Sequence, residues 1–180
     1  MKYDLTIESL PEKNYLAIKG YMSFRDITPG EYEEWERKYG FPNQHLTEQL
    51  INKSGATEVY RLFCNSCRKD EQFDWVCGDD IACENVNHAP AGDGFAIIRL
   101  APSDYLKITV PCGNEIGTGM TGEQAAREAD EYFWQEWLKN NPYQSKIGGE
   151  FADRSDTADI TFYDDENRRV IAWHPVLYNG

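Results

Sequence analysis

Apolar and polar residues alternate in the same way in two segments of the chain, 7–18 and 97–108. The segments align without a gap at a constant offset of 90 residues, and five of the twelve positions are identical. Average residue usage gives about one identity by chance. Each copy predicts a strand, a turn with proline and a second strand, so the pattern indicates an internal duplication. The identical pairs are Ile7 and Ile97, Leu10 and Leu100, Tyr15 and Tyr105, Leu16 and Leu106, and Ile18 and Ile108.

A helix start signal follows the first copy. Thr28-Pro29-Gly30-Glu31 begins like a capping box with proline at the first helical position, and it predicts a helix over 31–39. Gly40-Phe-Pro42 interrupts that helix, so we expect a second helical piece over 44–53 that ends before Gly55.

The second copy is followed by the same kind of signal. Thr121-Gly-Glu-Gln124 is a capping box, and it predicts a helix that continues to about Asn140. One stripe of this helix is apolar and should face a sheet. The stripe consists of Ala126, Ala129, Phe133 and Trp137.

Two strands are predicted after each helix, over 58–63 and 73–77 in the first half and over 160–163 and 169–173 in the second. Each half is therefore strand, helix, strand, strand. The prediction is an α+β fold made of duplicated βαββ halves with pseudo-two-fold symmetry. One antiparallel sheet would carry the helices on one face, with a ligand groove at the centre. We expect a single domain over 1–180, with pseudo-repeats at about 1–88 and 95–180.

Composition restricts the function classes. The chain has 180 residues, of which 41% are hydrophobic and 27% charged, as expected of a globular domain. The balance of 18 Lys and Arg against 31 Asp and Glu gives a net charge of -13, which argues against direct binding of nucleic acid and favours a cationic partner. Aromatic residues (5 Trp, 11 Tyr and 8 Phe) exceed what a small core needs.

The sequence shows no secretory leader and no apolar run long enough to span a membrane, so we expect a cytoplasmic protein. Five cysteines without a leader predict reduced thiols rather than disulfides. Cys64-x2-Cys67 resembles half of a zinc site, with Cys77, Cys83 and His88 as candidate partners. The second pair is spaced too widely for a zinc knuckle, so these cysteines are interpreted as packing residues, and we expect no metal or other cofactor.

Nucleophile elbows, Walker loops and dinucleotide-binding loops are missing from the sequence. His45, His88 and His174 fall on a helix, a loop and the last strand, and they are interpreted as ordinary surface or packing residues.

Glu150 follows Gly148-Gly149 and precedes Phe151. Its carboxylate has two interpretations: a solvated group at an edge, or a desolvated group in an aromatic pocket that binds a cation or acts as general acid or base. A cluster of rings beside one carboxylate has the composition of a cation–π site. The candidate rings, each of which has a core-packing alternative, are Tyr60, Trp75, Trp134 and Trp173.

Several motifs resemble the gyrase-inhibitor-like (GyrI-like) effector-binding domains, which also form the sensor of AraC-type and multidrug-sensing transcription regulators. The opening 7–18 segment is similar to the first strands of that family. Phe73-Asp-Trp-Val-Cys-Gly78 resembles its "FDYxVG" segment, and Ala101-Pro-Ser-Asp-Tyr105 resembles its "IPAxxY" segment. Trp134 to Tyr143 is similar to its "xxWLxxSGY" helix end, and Gly149-Glu150 occupies the place of its acidic "E-x-Y".

The resemblance implies a groove between the halves that binds hydrophobic, often cationic compounds, with Glu150 as the carboxylate and Tyr105 as a groove residue. Ala152 stands where the family has tyrosine, and the loop from Cys64 to Phe73 departs from the family pattern. We expect no DNA-binding helix-turn-helix, because the first strand begins within a few residues of Met1.

Three functions follow as hypotheses. The first is a free-standing sensor or sequestering protein for hydrophobic or cationic small molecules. The second is a hydrolase of strained, cyclopropane-type genotoxic compounds that uses the same groove, with Glu150 as its catalytic residue. The third is an acidic interaction protein with a protein partner, such as a gyrase inhibitor.

Overall fold

The first strands of the two repeats are exchanged between the halves of the fold. A computed structural model describes residues 3–18, 21–23, 30, 44–64, 75–77, 80–92, 94–113, 119–151 and 156–180. β1 (Asp4–Leu10) pairs antiparallel with β8 (Ser103–Pro111), and β7 (Ala96–Leu100) pairs antiparallel with β2 (Lys13–Ile18). Each repeat therefore supplies the edge strand of the other.

The central sheet follows the same symmetry. Its strand order is β1-β8-β11-β10-β4-β6-β2-β7, and β9 also pairs with β11. Exchanging the two halves reverses this order, so the pseudo-two-fold axis passes between the central strands β4 and β10. The remaining sheet strands are β4 (Tyr60–Cys64), β6 (Asp80–Glu84), β9 (Tyr143–Ser145), β10 (Ala158–Asp164) and β11 (Arg169–Tyr178).

One predicted strand forms, but it does not belong to the central sheet for which it was predicted. The 73–77 segment supplies β5 (Trp75–Cys77), which pairs with β3 (Tyr21–Ser23) in a separate two-stranded sheet. In the central sheet β4 lies between β10 and β6, so the first-half strand beside it is β6. Four of the five residues of β6 are buried. A strand covered on both faces has a short continuous apolar run rather than an alternating pattern, and this weaker signal is easily missed beside the aromatic 73–77 segment.

Two predicted helix boundaries are confirmed, the end of the first described helix and the start of the second. α1 (Gln44–Ser54) ends where Gly55, at a φ of 75°, donates its backbone N–H to the carbonyl of Ile51. α2 (Gly122–Tyr132) begins with a complete capping box between Thr121 and Gln124. The helix predicted over 31–39 lies outside the described residues.

A π-helical turn (Phe133–Trp137) joins α2 to the short α3 (Leu138–Asn140). The buried residues of this continuous helix are spaced by four. Because a regular α-helix has about 3.6 residues per turn, side chains at this spacing would move gradually around the helix axis. The wider π turn compensates for that drift and keeps Trp137 on the buried face. The observed stripe is Ala125, Ala129, Phe133 and Trp137, so Ala125 takes the place predicted for Ala126.

Strand register shows that the helices cover one face of the sheet. α1 packs on β2 and β6 and buries Leu16, Ile81 and Cys83 with Leu50 of the helix. α2 packs on β8 and β11 and buries the side chains on the helix-covered face of these strands, including Leu106, Val170 and Ala172. Residues of opposite parity form a third cluster on the helix-free face, among them Tyr15, Leu62, Tyr105 and Ile160. The predicted α+β fold class is confirmed.

The capping box gives a test of the local structure. Thr121→Ala removes the hydroxyl that accepts from the Gln124 backbone N–H and should lower the free energy of unfolding by about 1 kcal/mol. Thr121→Ser keeps the hydroxyl and should stay close to the wild type. Urea denaturation followed by far-ultraviolet circular dichroism measures both, and equal losses for Ala and Ser would contradict the capping role.

Candidate functional site

A groove of 390 Å³ lies over the central strands on the helix-covered face, and we call it the central groove. Arg61 of β4 and Thr161 of β10 face each other across the pseudo-two-fold axis, and both line it. The helix wall comes from α2 and the π turn. The described residues that line it are Arg61, Phe63, Glu123, Ala126, Arg127, Asp130, Trp134, Asp159, Thr161 and Tyr163.

Asp159 is the carboxylate on the sheet side of the central groove. Its side chain is 15% exposed, and its Oδ1 lies 3.0 Å from Nδ1 of His174 on β11. A carboxylate can only accept, so the histidine carries a hydrogen on Nδ1 and donates it to Asp159. The pair is nearly dry, which strengthens the electrostatic interaction between its members.

His174 itself is 1% exposed and lies directly beneath the groove. Its ring stacks on Phe133 of the π turn, with ring centroids 4.1 Å apart and an interplanar angle of 6°. The second ring nitrogen, Nε2, is 3.5 Å from Oδ1 of Asp130 and has no hydrogen-bond partner among the described residues. The histidine ring thus lies between a carboxylate of the sheet and a carboxylate of α2.

The opposite end of the central groove is closed by an ion pair. Arg61 donates to Glu123 at 2.7 Å, and its guanidinium lies 4.7 Å from the ring centroid of Tyr163. Trp134 stands on the other side, 37% exposed and packed edge-on against Phe133 at 5.0 Å. An exposed indole and a largely buried carboxylate therefore share one groove.

A second concavity, which we call the sheet groove, lies on the helix-free face beside β4, β10 and β11 and has a volume of 740 Å³. Tyr60 and Phe162 are in contact at 5.4 Å between ring centroids, and Tyr60 meets Tyr15 edge-on at 5.9 Å. Trp173 lines the same groove. Burial raises the pKa of Tyr60, Tyr15 and Tyr105, so these phenols are neutral at physiological pH.

Two carboxylates are bonded to these rings: Glu58 accepts from the Tyr60 hydroxyl, and Glu8 is bonded to Trp173.

Glu8 has two donors. It accepts from Nζ of Lys107 at 2.9 Å and from Nε1 of Trp173 at 3.1 Å. Burial acts to raise the pKa of Glu8, but the hydrogen bonds from Lys107 and Trp173 outweigh it and lower the pKa. Sequence reasoning missed Glu8. The repeat did contain a signal, since the offset of 90 aligns this charged residue with the apolar Ile98.

Glu150 lies in a third concavity, the helix-end pocket, which has a volume of 530 Å³. Gly148 and Gly149, at φ of 72° and 54°, turn the chain, and Glu150 is the middle residue of a 3₁₀ turn (Gly149–Phe151). Its carboxylate is exposed and accepts from Gln144 Nε2 at 2.6 Å. This placement matches the solvated interpretation of Glu150 rather than the desolvated one. Trp134 borders this pocket as well.

The residues singled out from the sequence fall into two groups. Tyr60 and Trp173 pack against the cluster that contains the buried Tyr105, while Trp134 lies with Glu150. Trp75 is in β5, but its side chain is outside the described part. Asp159 and His174 were not recognised as a site, because nothing local in the sequence shows that two strands will bring them into contact.

Cys64, Cys83 and Cys112 are buried. Across the described ranges, His, Cys, Asp and Glu side chains form no cluster of three or more suited to a metal ion, while Cys67 and the side chain of Cys77 lie outside those ranges. Nor does any helix there have the length and apolar character needed to cross a bilayer.

Solved structures share the fold. The chain matches EcmrR in a complex with DNA at a TM-score of 0.55 and 13% identity, covering 98% of this chain and 58% of EcmrR. It matches the isolated EcmrR C-terminal domain at 0.54 and 14%, covering 99% of both chains. It matches SAV2435 bound to tetraphenylphosphonium at 0.53 and 15%, covering 98% of this chain and 94% of that protein. At these identities the likeness establishes the fold alone.

No protein-family model matches the sequence, and no curated protein matches it either.

The environment of Glu8 predicts a pH dependence of stability. Its pKa is lowered in the folded state, so its contribution is full above the unfolded pKa of about 4.3 and disappears as the pH falls through the folded pKa. Glu8→Gln should therefore destabilise the protein at neutral pH, and the difference from wild type should shrink in acid. Chemical denaturation across that range measures it.

Glu166→Gln is the matched control, because it removes an equivalent charge from an exposed position. A difference for Glu8→Gln that does not change with pH, or one equal to that of Glu166→Gln, would contradict the assigned environment.

Proposed function

We propose that the chain is a GyrI-like small-molecule-binding protein that takes up hydrophobic organic cations in its central groove, as a sensor or sequestering protein. The observation that carries the proposal is Asp159, a carboxylate held 15% exposed between the central strands and an exposed indole. A carboxylate beside an aromatic face attracts a large, weakly hydrated cation through charge and through the π system together.

The charges around the groove support a cationic ligand. Among the described residues of the lining, Glu123, Asp130 and Asp159 supply carboxylates, and Arg61 and Arg127 supply guanidinium groups. Arg61 is engaged by Glu123 and by the ring of Tyr163. Asp159 is hydrogen bonded to a histidine, which carries no charge when it is neutral.

The volume and the lining support a small molecule rather than a macromolecule. A volume of 390 Å³ lies within the 300 to 1,000 Å³ range of small-molecule sites. The net charge of -13 disfavours nucleic acid as a direct ligand. The structural neighbour SAV2435 is bound to tetraphenylphosphonium, a hydrophobic cation, and this makes tetraphenylphosphonium a reasonable first probe.

The principal test compares two carboxylates. Asp159→Asn should weaken tetraphenylphosphonium binding by about tenfold or more, since a charge-assisted contact contributes about 1.5 to 3 kcal/mol. Glu150→Gln tests the site predicted from the sequence, because it removes the exposed carboxylate of the helix-end pocket. Isothermal titration calorimetry gives the dissociation constants of the wild type and both variants.

The central groove predicts a loss with Asp159→Asn and a change below about twofold with Glu150→Gln. The reverse pattern would place the cation in the helix-end pocket. Triphenylphosphine oxide is an aromatic compound without the charge. It should bind the wild type more weakly than tetraphenylphosphonium does, and it should bind Asp159→Asn as well as it binds the wild type. Undiminished binding in both variants would overturn a carboxylate-centred site and favour the acidic surface as a protein-interaction surface.

Hydrolysis of a strained electrophile in the same groove is the second candidate. The observation that favours it is the Asp159–His174 hydrogen bond, since a carboxylate and a histidine in contact form an acid–base pair. Incubation with a cyclopropane-bearing electrophile and mass spectrometry of the products tests for turnover. Addition of water by the wild type but not by Asp159→Asn would establish a hydrolase, and recovery of intact compound would leave binding alone.

A further inference from the structure

The described residues contain one buried side-chain nitrogen without a hydrogen-bond partner, Nε2 of His174. It points to Oδ1 of Asp130 at 3.5 Å, while Nδ1 on the opposite side of the ring is bonded to Asp159 at 3.0 Å. Both carboxylates line the central groove. The histidine is therefore placed between the two negative groups that the proposed ligand would meet.

A neutral ring in this position is poorly accommodated. With its hydrogen on Nδ1, the ring presents a lone pair at Nε2, and that lone pair faces a carboxylate oxygen that also only accepts. Two acceptors that face one another repel. A proton on Nε2 removes the repulsion and converts the ring into an imidazolium that donates to Asp159 and Asp130 at once.

Two further described neighbours of the ring carry no charge. Phe133 covers one face of the ring by stacking at 4.1 Å. On β8 the residue paired with His174 is the apolar Leu106. Among the described residues, the ionisable groups that contact the ring are Asp159 from β10 and Asp130 from α2.

We propose that His174 is a proton-binding site that competes with the organic cation for the charge of Asp159 and Asp130, so that ligand binding expels a proton. The inference rests on the proposed function, because it concerns the same groove. Protonation of Nε2 makes the set of His174, Asp159 and Asp130 one unit less negative and occupies an oxygen of each carboxylate. A cation entering beside Asp159 favours the neutral ring, and the Nε2 proton leaves for the solvent.

Thermodynamic linkage makes the effect reciprocal. The dissociation constant for tetraphenylphosphonium should rise by about fivefold or more between about pH 8 and about pH 5.5, which brackets the usual histidine pKa of about 6.5. Ligand binding should weaken proton binding at Nε2 of His174 by the same factor.

The test is isothermal titration calorimetry with tetraphenylphosphonium at both pH values, repeated near neutral pH in buffers of different ionisation enthalpy, which counts the protons released. In His174→Gln the side-chain amide can still donate to Asp159 but does not titrate in this range, so both the pH dependence and the proton release should disappear. His45→Gln, on the exposed side of α1, is the matched control and should keep both.

Two exposed carboxylates of the groove separate a specific effect from a general one. Asp130→Asn removes the negative charge that faces Nε2 and should move the midpoint of the pH dependence to lower pH. Glu123→Gln removes an equivalent charge from the same groove without facing His174, and it should weaken binding at every pH and leave the midpoint in place. Their side chains are 58% and 64% exposed, so neither variant challenges the core.

If His174→Gln fails to fold, the wild type still decides the matter. Two-dimensional ¹H–¹⁵N spectra that connect ring protons to ring nitrogens give the ionisation of His174 with and without the ligand. A pKa of His174 that falls on binding supports the proposal.

The outcomes distinguish the two proposals. Binding that is equally tight at both pH values, or proton release that persists in His174→Gln, overturns the role of His174 and leaves the central groove as a cation site. Absence of binding to the wild type at either pH overturns the proposed function, and the titration of His174 in the ligand-free protein, compared between wild type and Asp130→Asn, then tests the carboxylate–histidine contact by itself.

Discussion

The exchange of first strands between the two repeats is the constraint on which the rest of the structure depends. Because β1 is bonded to β8 and β7 to β2, neither repeat completes its sheet alone. The exchange fixes the register of the outer strands, and the outer strands position β6 and β11, which carry the central pair β4 and β10. The pseudo-two-fold axis then runs between Arg61 and Thr161, in the floor of the central groove.

The chemistry of the molecule lies where the two halves differ. Strand register makes His174 the counterpart of Cys83, since they pair with Leu106 and Leu16, which are equivalent in the repeat. The same alignment across the central strands makes Asp159 the counterpart of Val59. In the first half, Val59 packs with Cys83 in an apolar cluster, while the second half has a hydrogen-bonded carboxylate and histidine. Duplication supplied a symmetric frame, and substitution in one half gave it a polar site.

The helix-free face shows the same divergence. Glu8 occupies the position equivalent to Ile98, Lys107 that of Ala17, and Trp173 that of Ala82. Small and apolar side chains in one half therefore become a hydrogen-bonded set of acid, amine and indole in the other. Trp173 carries this set to the lining of the sheet groove.

The sequence by itself determined the duplication, the fold class and the local signals that begin and end the helices. These features depend on residues close together in the chain: the alternation in 7–18 and 97–108, the capping box at Thr121 and the glycine at position 55. It predicted one cluster of rings around Glu150, and of those rings Trp134 borders the pocket that holds Glu150, since the helix end and the glycine turn are separated by few residues. Tertiary structure alone decided which strand stands beside β4 and which carboxylate meets a buried histidine. Asp159 and His174 are brought into contact only by the pairing of β10 with β11, and a contact set by strand register leaves no local pattern in the chain.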